Sequence, residues 1–139
     1  MLFRSVVGRV LHVKAREPLP LAVIDAGMTE LIRPALYGAG HPIVALTSHG
    51  LPVTAGEVGA DTASVRYRVD GPVCESTDRL GEAALPPLAR GDLVAIGMAG
   101  AYGSAMSSTY NGRPHPPEIG TEGGRLVTLR RRGRIASLP

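Results

Sequence analysis

The chain reads as an all-β domain, a barrel or sandwich with short helical turns in its loops, and three observations predict this. Its apolar residues come in short runs that either alternate with polar residues or stop at turn formers. With 18 glycines and 12 prolines in 139 residues, breaks come too often for long helices. The segments between the runs are small and polar, as exposed loops are.

Residues 6–13 interleave apolar side chains with Gly8, Arg9 and His12, and residues 21–24 form an apolar run after Pro18 and Pro20. Both predict strands, joined by a proline-containing turn. Asp25-Ala26-Gly27 breaks the second strand. Residues 28–32 have room for about one turn of helix before Pro34 disfavours helical geometry at Arg33. Residues 42–46 and 63–69 predict further strands. In the second, Val65, Tyr67 and Val69 alternate with Arg66 and Arg68, which gives one apolar face. Residues 54–62, between them, predict an exposed loop.

Leu85-Pro86-Pro87-Leu88 leads through Arg90-Gly91-Asp92 into residues 93–98, an apolar run that predicts a central strand. Residues 100–108 are small, interrupted only by Tyr102 and by Met106, a candidate core filler. Ile119, Gly123-Gly124 and residues 126–129 predict a closing hairpin. No repeat or internal boundary is visible, and 139 residues suffice for one domain that buries roughly two thirds of its unfolded surface.

The net charge of +3 is local, because Arg125, Arg130, Arg131, Arg132 and Arg134 lie in the last fifteen residues. No aromatics are interleaved with them, which argues against nucleic-acid binding. No apolar run approaches the roughly 20 residues of a membrane span, and no signal peptide is visible. One cysteine cannot form an intramolecular disulfide, so a cytoplasmic protein is expected. His12, His41, His49 and His115 lack metal-ligand spacing, and no metal is expected.

That cysteine, Cys74, stands beside Glu75 in Gly71-Pro72-Val73-Cys74-Glu75-Ser76-Thr77-Asp78. A lone cysteine is more often a buried small hydrophobe, but a turn-rich polar segment is a poor place for a core and a good one for proton transfer. The residues alone leave both roles open.

Five stretches, in order, resemble the carboxy-terminal β domain of the diaminopimelate decarboxylase family, pyridoxal-phosphate enzymes of the alanine-racemase-like fold type. They are Asp25-Ala26-Gly27-Met28; Arg33-Pro34-Ala35-Leu36-Tyr37 with His41; the Cys74 segment with Asp78; Gly100-Ala101-Tyr102-Gly103; and Met106-Ser107-Ser108-Thr109-Tyr110-Asn111 with Arg113-Pro114. Together they span about two thirds of the chain.

The resemblance implies conversion of meso-2,6-diaminopimelate to L-lysine and carbon dioxide, in a homodimer. The cofactor acts as an electron sink, and once carbon dioxide leaves, the α-carbon must be protonated. By resemblance the acid is Cys74, supplied across the dimer interface; an ordinary cysteine is mostly a neutral thiol near neutral pH. Arg33 is expected to bind the distal carboxylate and Glu75 the distal ammonium. Tyr37 and Tyr102 are expected to line the substrate, and Tyr102 also to contact the cofactor.

The chain also departs from the family. The β/α barrel that carries the cofactor lysine and phosphate site does not appear, and the only lysine, Lys14, precedes every matching stretch. Gly40 replaces a bulkier residue, and the spacing from Glu75 to Tyr102 is slightly compressed. The expectation is a fragment, inactive alone, with residues 6–139 as the β domain. Met1 to Ser5 do not resemble the family and can be encoded by the end of a sequencing adapter, so they are expected to be non-native or leader residues. The rival expectations are the domain of a related ornithine, lysine or arginine decarboxylase, and a non-catalytic β module that regulates such an enzyme.

Overall fold

The computed structural model describes residues 4–53 and 64–135. The exposed loop expected at 54–62, and Ala63 at the start of one expected strand, lie outside the described residues.

Among the described residues, eight strands and one short α-helix carry the fold: β1 Val6–Lys14, β2 Leu21–Ile24, α1 Arg33–Tyr37, β3 Ile43–Leu46, β4 Val65–Asp70, β5 Arg79–Leu85, β6 Leu93–Ile96, β7 Glu118–Glu122 and β8 Arg125–Arg130. The first six strands form one sheet in the order β3-β6-β1-β2-β4-β5, and β7 and β8 form a separate hairpin. β1 does two jobs. Residues 6–9 pair antiparallel with β6, whereas residues 10–14 pair with β2 after a register shift between Val10 and His12. Such a bulge increases local twist and bends the strand. The sheet curls until its edges approach: a Cβ on Gly81 in β5 would lie 3.5 Å from Ile43 Cδ1 in β3. The result is a nearly closed, barrel-like sheet.

Its interior holds Val10, Ile24, Leu31, Val69, Leu80, Leu85, Val94 and Ile96, all buried. The predicted alternation in β4 holds, with Tyr67 and Val69 inward, while Arg66 reaches across to Glu82 at 3.0 Å. β6 is central, between β3 and β1, as its apolar run predicts. It stops at Ile96 rather than Met98, because Met98 takes a left-handed backbone with φ 56°. The hairpin turns on Gly123 and Gly124, whose φ of 55° and 78° suit a two-residue connection.

Three local expectations need correction. Residues 28–30 form a hydrogen-bonded turn, and the helix begins at Arg33 instead of ending before Pro34. Proline fits the first helical turn, where its missing N–H has no partner to lose. β5 was not expected at all: its Gly, Glu and Ala residues have low strand propensity, and it forms because β4 offers it a complete pairing edge. Met106 is half-buried in a 3-10 turn and takes no part in the core cluster. Among the described residues, no helix is long and apolar enough to cross a membrane.

Candidate functional site

A buried polar node organises three loops. Asp78 is 2% exposed, and its two carboxylate oxygens accept the backbone N–H groups of Met28 at 2.6 Å and Val73 at 2.7 Å. One side chain thus joins the loop after β2 to the loop after β4. Gly71 and Gly27 pack so tightly on this carboxylate that a Cβ at either position would overlap it. Burial raises the Asp78 pKa above the ordinary aspartate range, with Glu30 adding to the rise, while the Met28 and Val73 N–H groups and Arg113 oppose it.

Glu30, 5% exposed, accepts from Gly27 N–H at 2.8 Å and from Thr29 Oγ1 at 2.9 Å. The reach of a carboxylate back over three residues is that of a capping box. Arg113 arrives from the third loop. Its Nη2 donates to the Asp25 carbonyl at 2.6 Å and lies 3.3 Å from Glu30 Oε1, while its Nε donates to Thr29 Oγ1 at 3.1 Å. Ser108 N–H also donates to the Thr29 carbonyl, at 2.9 Å. Every buried polar group of the node therefore has a partner, which makes the loop roots rigid.

Two groups of side chains stand around the node, all exposed except Arg33, which is half-buried. In the first, Cys74 is exposed, and next to it Glu75 Oε1 accepts the Tyr110 hydroxyl at 2.6 Å. That hydrogen bond, together with the negative charge of Glu75, raises the Tyr110 pKa. In the second, Arg33 and Tyr37 stand four residues apart on α1, hence on one face. Tyr102 meets both: its ring centroid is 6.1 Å from that of Tyr37, and the Arg33 guanidinium carbon lies 6.0 Å from the Tyr102 centroid. This is cation–π range. Tyr102 holds φ at 60°, an uncommon conformation for a bulky residue, and Arg33 Nε is buried and has no hydrogen-bond partner among the described residues.

The sequence-predicted residues thus fall into Cys74 and Glu75 on one side and Arg33, Tyr37 and Tyr102 on the other. Among the described residues, no hydrogen bond or ring contact joins the two groups. Lys14 ends β1 opposite Leu21 and is exposed, away from all three loops. A cavity of about 710 Å³, between the start of β1, the 99–107 segment and the hairpin, contains none of the sequence-predicted site residues. Sequence reasoning gave no role to Thr29, Glu30, Tyr110 or Arg113. Gly27, Asp78 and Arg113 stood in the matching stretches, and the spacing of Gly27 and Glu30 was a further signal for the node.

Residues 4–100 match the family described as pyridoxal-dependent decarboxylase, C-terminal sheet domain. The diaminopimelate decarboxylase of Bacteroides thetaiotaomicron is 46% identical over 113 residues, covering 81% of this chain and 26% of its own. A diaminopimelate decarboxylase crystal structure superposes with a TM-score of 0.82 at 34% identity, over 95% of this chain and 32% of that one. The Helicobacter pylori enzyme complexed with L-lysine gives 0.77 at 35% identity, over 94% of this chain and 29% of that one. The chain therefore spans about a third or less of the length of these relatives. With most of the chain matched, and with a barrel-like sheet that superposes on these structures, the chain belongs to the carboxy-terminal sheet-domain family of the pyridoxal-dependent decarboxylases.

Proposed function

We propose that residues 6–139 form the carboxy-terminal domain of a diaminopimelate decarboxylase, which converts meso-2,6-diaminopimelate to L-lysine and carbon dioxide once a cofactor-bearing barrel completes the site. The observation that carries the reading is the combination of an exposed thiol and a carboxylate on a loop rooted in the buried node with a guanidinium on the helix that follows the node's turn. A substrate whose far end is itself an amino acid needs both a cation and a carboxylate there.

Arg33 is suited to the distal carboxylate, since a planar guanidinium can hold it with two bonds. Glu75 is suited to the distal ammonium. Tyr37 and Tyr102 supply walls, half or more exposed and ready to be covered. Pyridoxal phosphate, when bound, withdraws electrons from the substrate's α-carbon. The exposed ring of Tyr102, braced by Arg33, fits a flanking contact to that planar group. The only lysine stands away from the loops, so the cofactor's lysine and phosphate contacts belong to the barrel. Cys74 then delivers a proton from sulfur to the α-carbon.

By the family resemblance the site forms in a homodimer, in which one protomer's Cys74 and Glu75 complete the site of its partner. On this reading the isolated domain is inactive. The test is a fusion of this domain to the amino-terminal barrel of a complete diaminopimelate decarboxylase, loaded with cofactor and assayed for carbon dioxide release. Turnover of diaminopimelate supports the reading. A folded, cofactor-loaded but inactive fusion overturns it in favour of a regulatory module.

A further inference from the structure

We propose that Tyr110 is a specificity-determining residue of this site: it fixes Glu75 through Oε1 so that Oε2 is left to receive the distal ammonium of the substrate. The inference rests on the function proposed above and adds a residue to it. The Tyr110–Glu75 hydrogen bond, 2.6 Å long, spans 35 residues of sequence. Both of its ends are anchored. Asp78 N–H donates to the Glu75 carbonyl at 3.1 Å, and the Asp78 carboxylate is held by Met28 and Val73. On the other side, Arg113 N–H donates to the Tyr110 carbonyl at 3.4 Å, and its guanidinium is held by Asp25, Thr29 and Glu30. Two loops rooted in the same turn thus meet at one phenol and one carboxylate.

Packing does not explain Tyr110, because the residue is 52% exposed. Its hydroxyl is a neutral donor, which orients a carboxylate without cancelling the charge that attracts an ammonium; a lysine or arginine in its place would cancel it. Glu75 accepts no hydrogen bond at Oε2 among the described residues.

The test has two arms. In this chain, titration of tyrosinate absorbance should show one midpoint falling in Glu75→Gln, with no such fall in a Tyr110→Phe background. In the cofactor-loaded full-length enzyme or fusion, Tyr110→Phe should raise KM for diaminopimelate about tenfold and leave kcat within about twofold. The same change made on Glu75→Gln should have little further effect. An active parent whose Tyr110→Phe variant keeps its KM, loses kcat instead, or loses affinity equally in the Glu75→Gln background overturns this inference alone. An inactive parent overturns the proposed function and this inference with it, and the titration still decides whether the two side chains are linked.

Discussion

Arg113 and Glu30, 83 residues apart, form a 3.3 Å ion pair in which the carboxylate is almost fully buried and the guanidinium is partly exposed. The loop that ends at Arg113 is therefore fixed to the turn that precedes α1, and the site's side chains project from a common base.

Removing one partner of such a pair leaves the other buried and uncompensated. Arg113→Leu should destabilise the domain by about 2–4 kcal/mol, below the figure for a fully buried pair because Arg113 reaches solvent. Glu30→Gln keeps an acceptor for Gly27 and Thr29 and should cost only about 1 kcal/mol. Denaturant unfolding of the two variants beside the parent measures the order, and an equal loss would mean that leaving the buried Glu30 carboxylate unpaired adds no cost.

Glycine at position 71 is required by proximity, since a Cβ there would overlap the Asp78 carboxylate. Gly71→Ala should cost about 1–3 kcal/mol. A Cβ added at Gly40 would meet nothing within 4 Å among the described residues, and Gly40→Ala should fall within about 0.5 kcal/mol of the parent by the same unfolding measurement.

The raised pKa of Asp78 fixes a sign for pH dependence. In the folded state the carboxyl binds its proton at higher pH than in the unfolded chain. Its contribution to stability is thus fully present below the ordinary aspartate pKa and is lost as pH rises through the folded value. Relative to Asp78→Asn, which does not titrate, the parent should gain stability as pH falls from neutral through that window. Thermal melts of both proteins across that range check it, and a parent that loses ground to Asp78→Asn on acidification would reverse the assignment.

Arg33 bears on substrate choice. In an active fusion, Arg33→Met should reduce kcat/KM for diaminopimelate by about a hundredfold, because a two-bond contact to carboxylate is lost. Turnover of ornithine or lysine, which lack a distal carboxylate, should change far less. Parallel kinetics on the three substrates separate this from a general structural defect.

Strands were legible wherever burial imposed a period of two, as in β4, or an apolar run, as in β6, and the Gly123-Gly124 turn announced the hairpin. β5 was not, since its Gly81, Glu82, Ala83 and Ala84 carry almost no strand signal of their own and take their conformation from pairing with β4. The start of α1 was misread because Pro34 blocks a helix that arrives at it but favours one that begins there. In the site, the exposed residues could be picked out by motif. Of the node beneath them, motif marked Gly27, Asp78 and Arg113 but not how they meet: whether Arg113 pairs with the buried Glu30 depends on how loops 83 residues apart are folded, and no local pattern encodes that.

On the proposed reading, Cys74 donates a proton in a decarboxylase half-site. The most direct test is carbon dioxide release from meso-diaminopimelate by the cofactor-loaded fusion, with and without Cys74→Ala. The expected result is an active parent and a variant slower by about 10²–10⁴, the range for a lost general acid, with diaminopimelate affinity largely kept. Near-normal turnover in Cys74→Ala would contradict it.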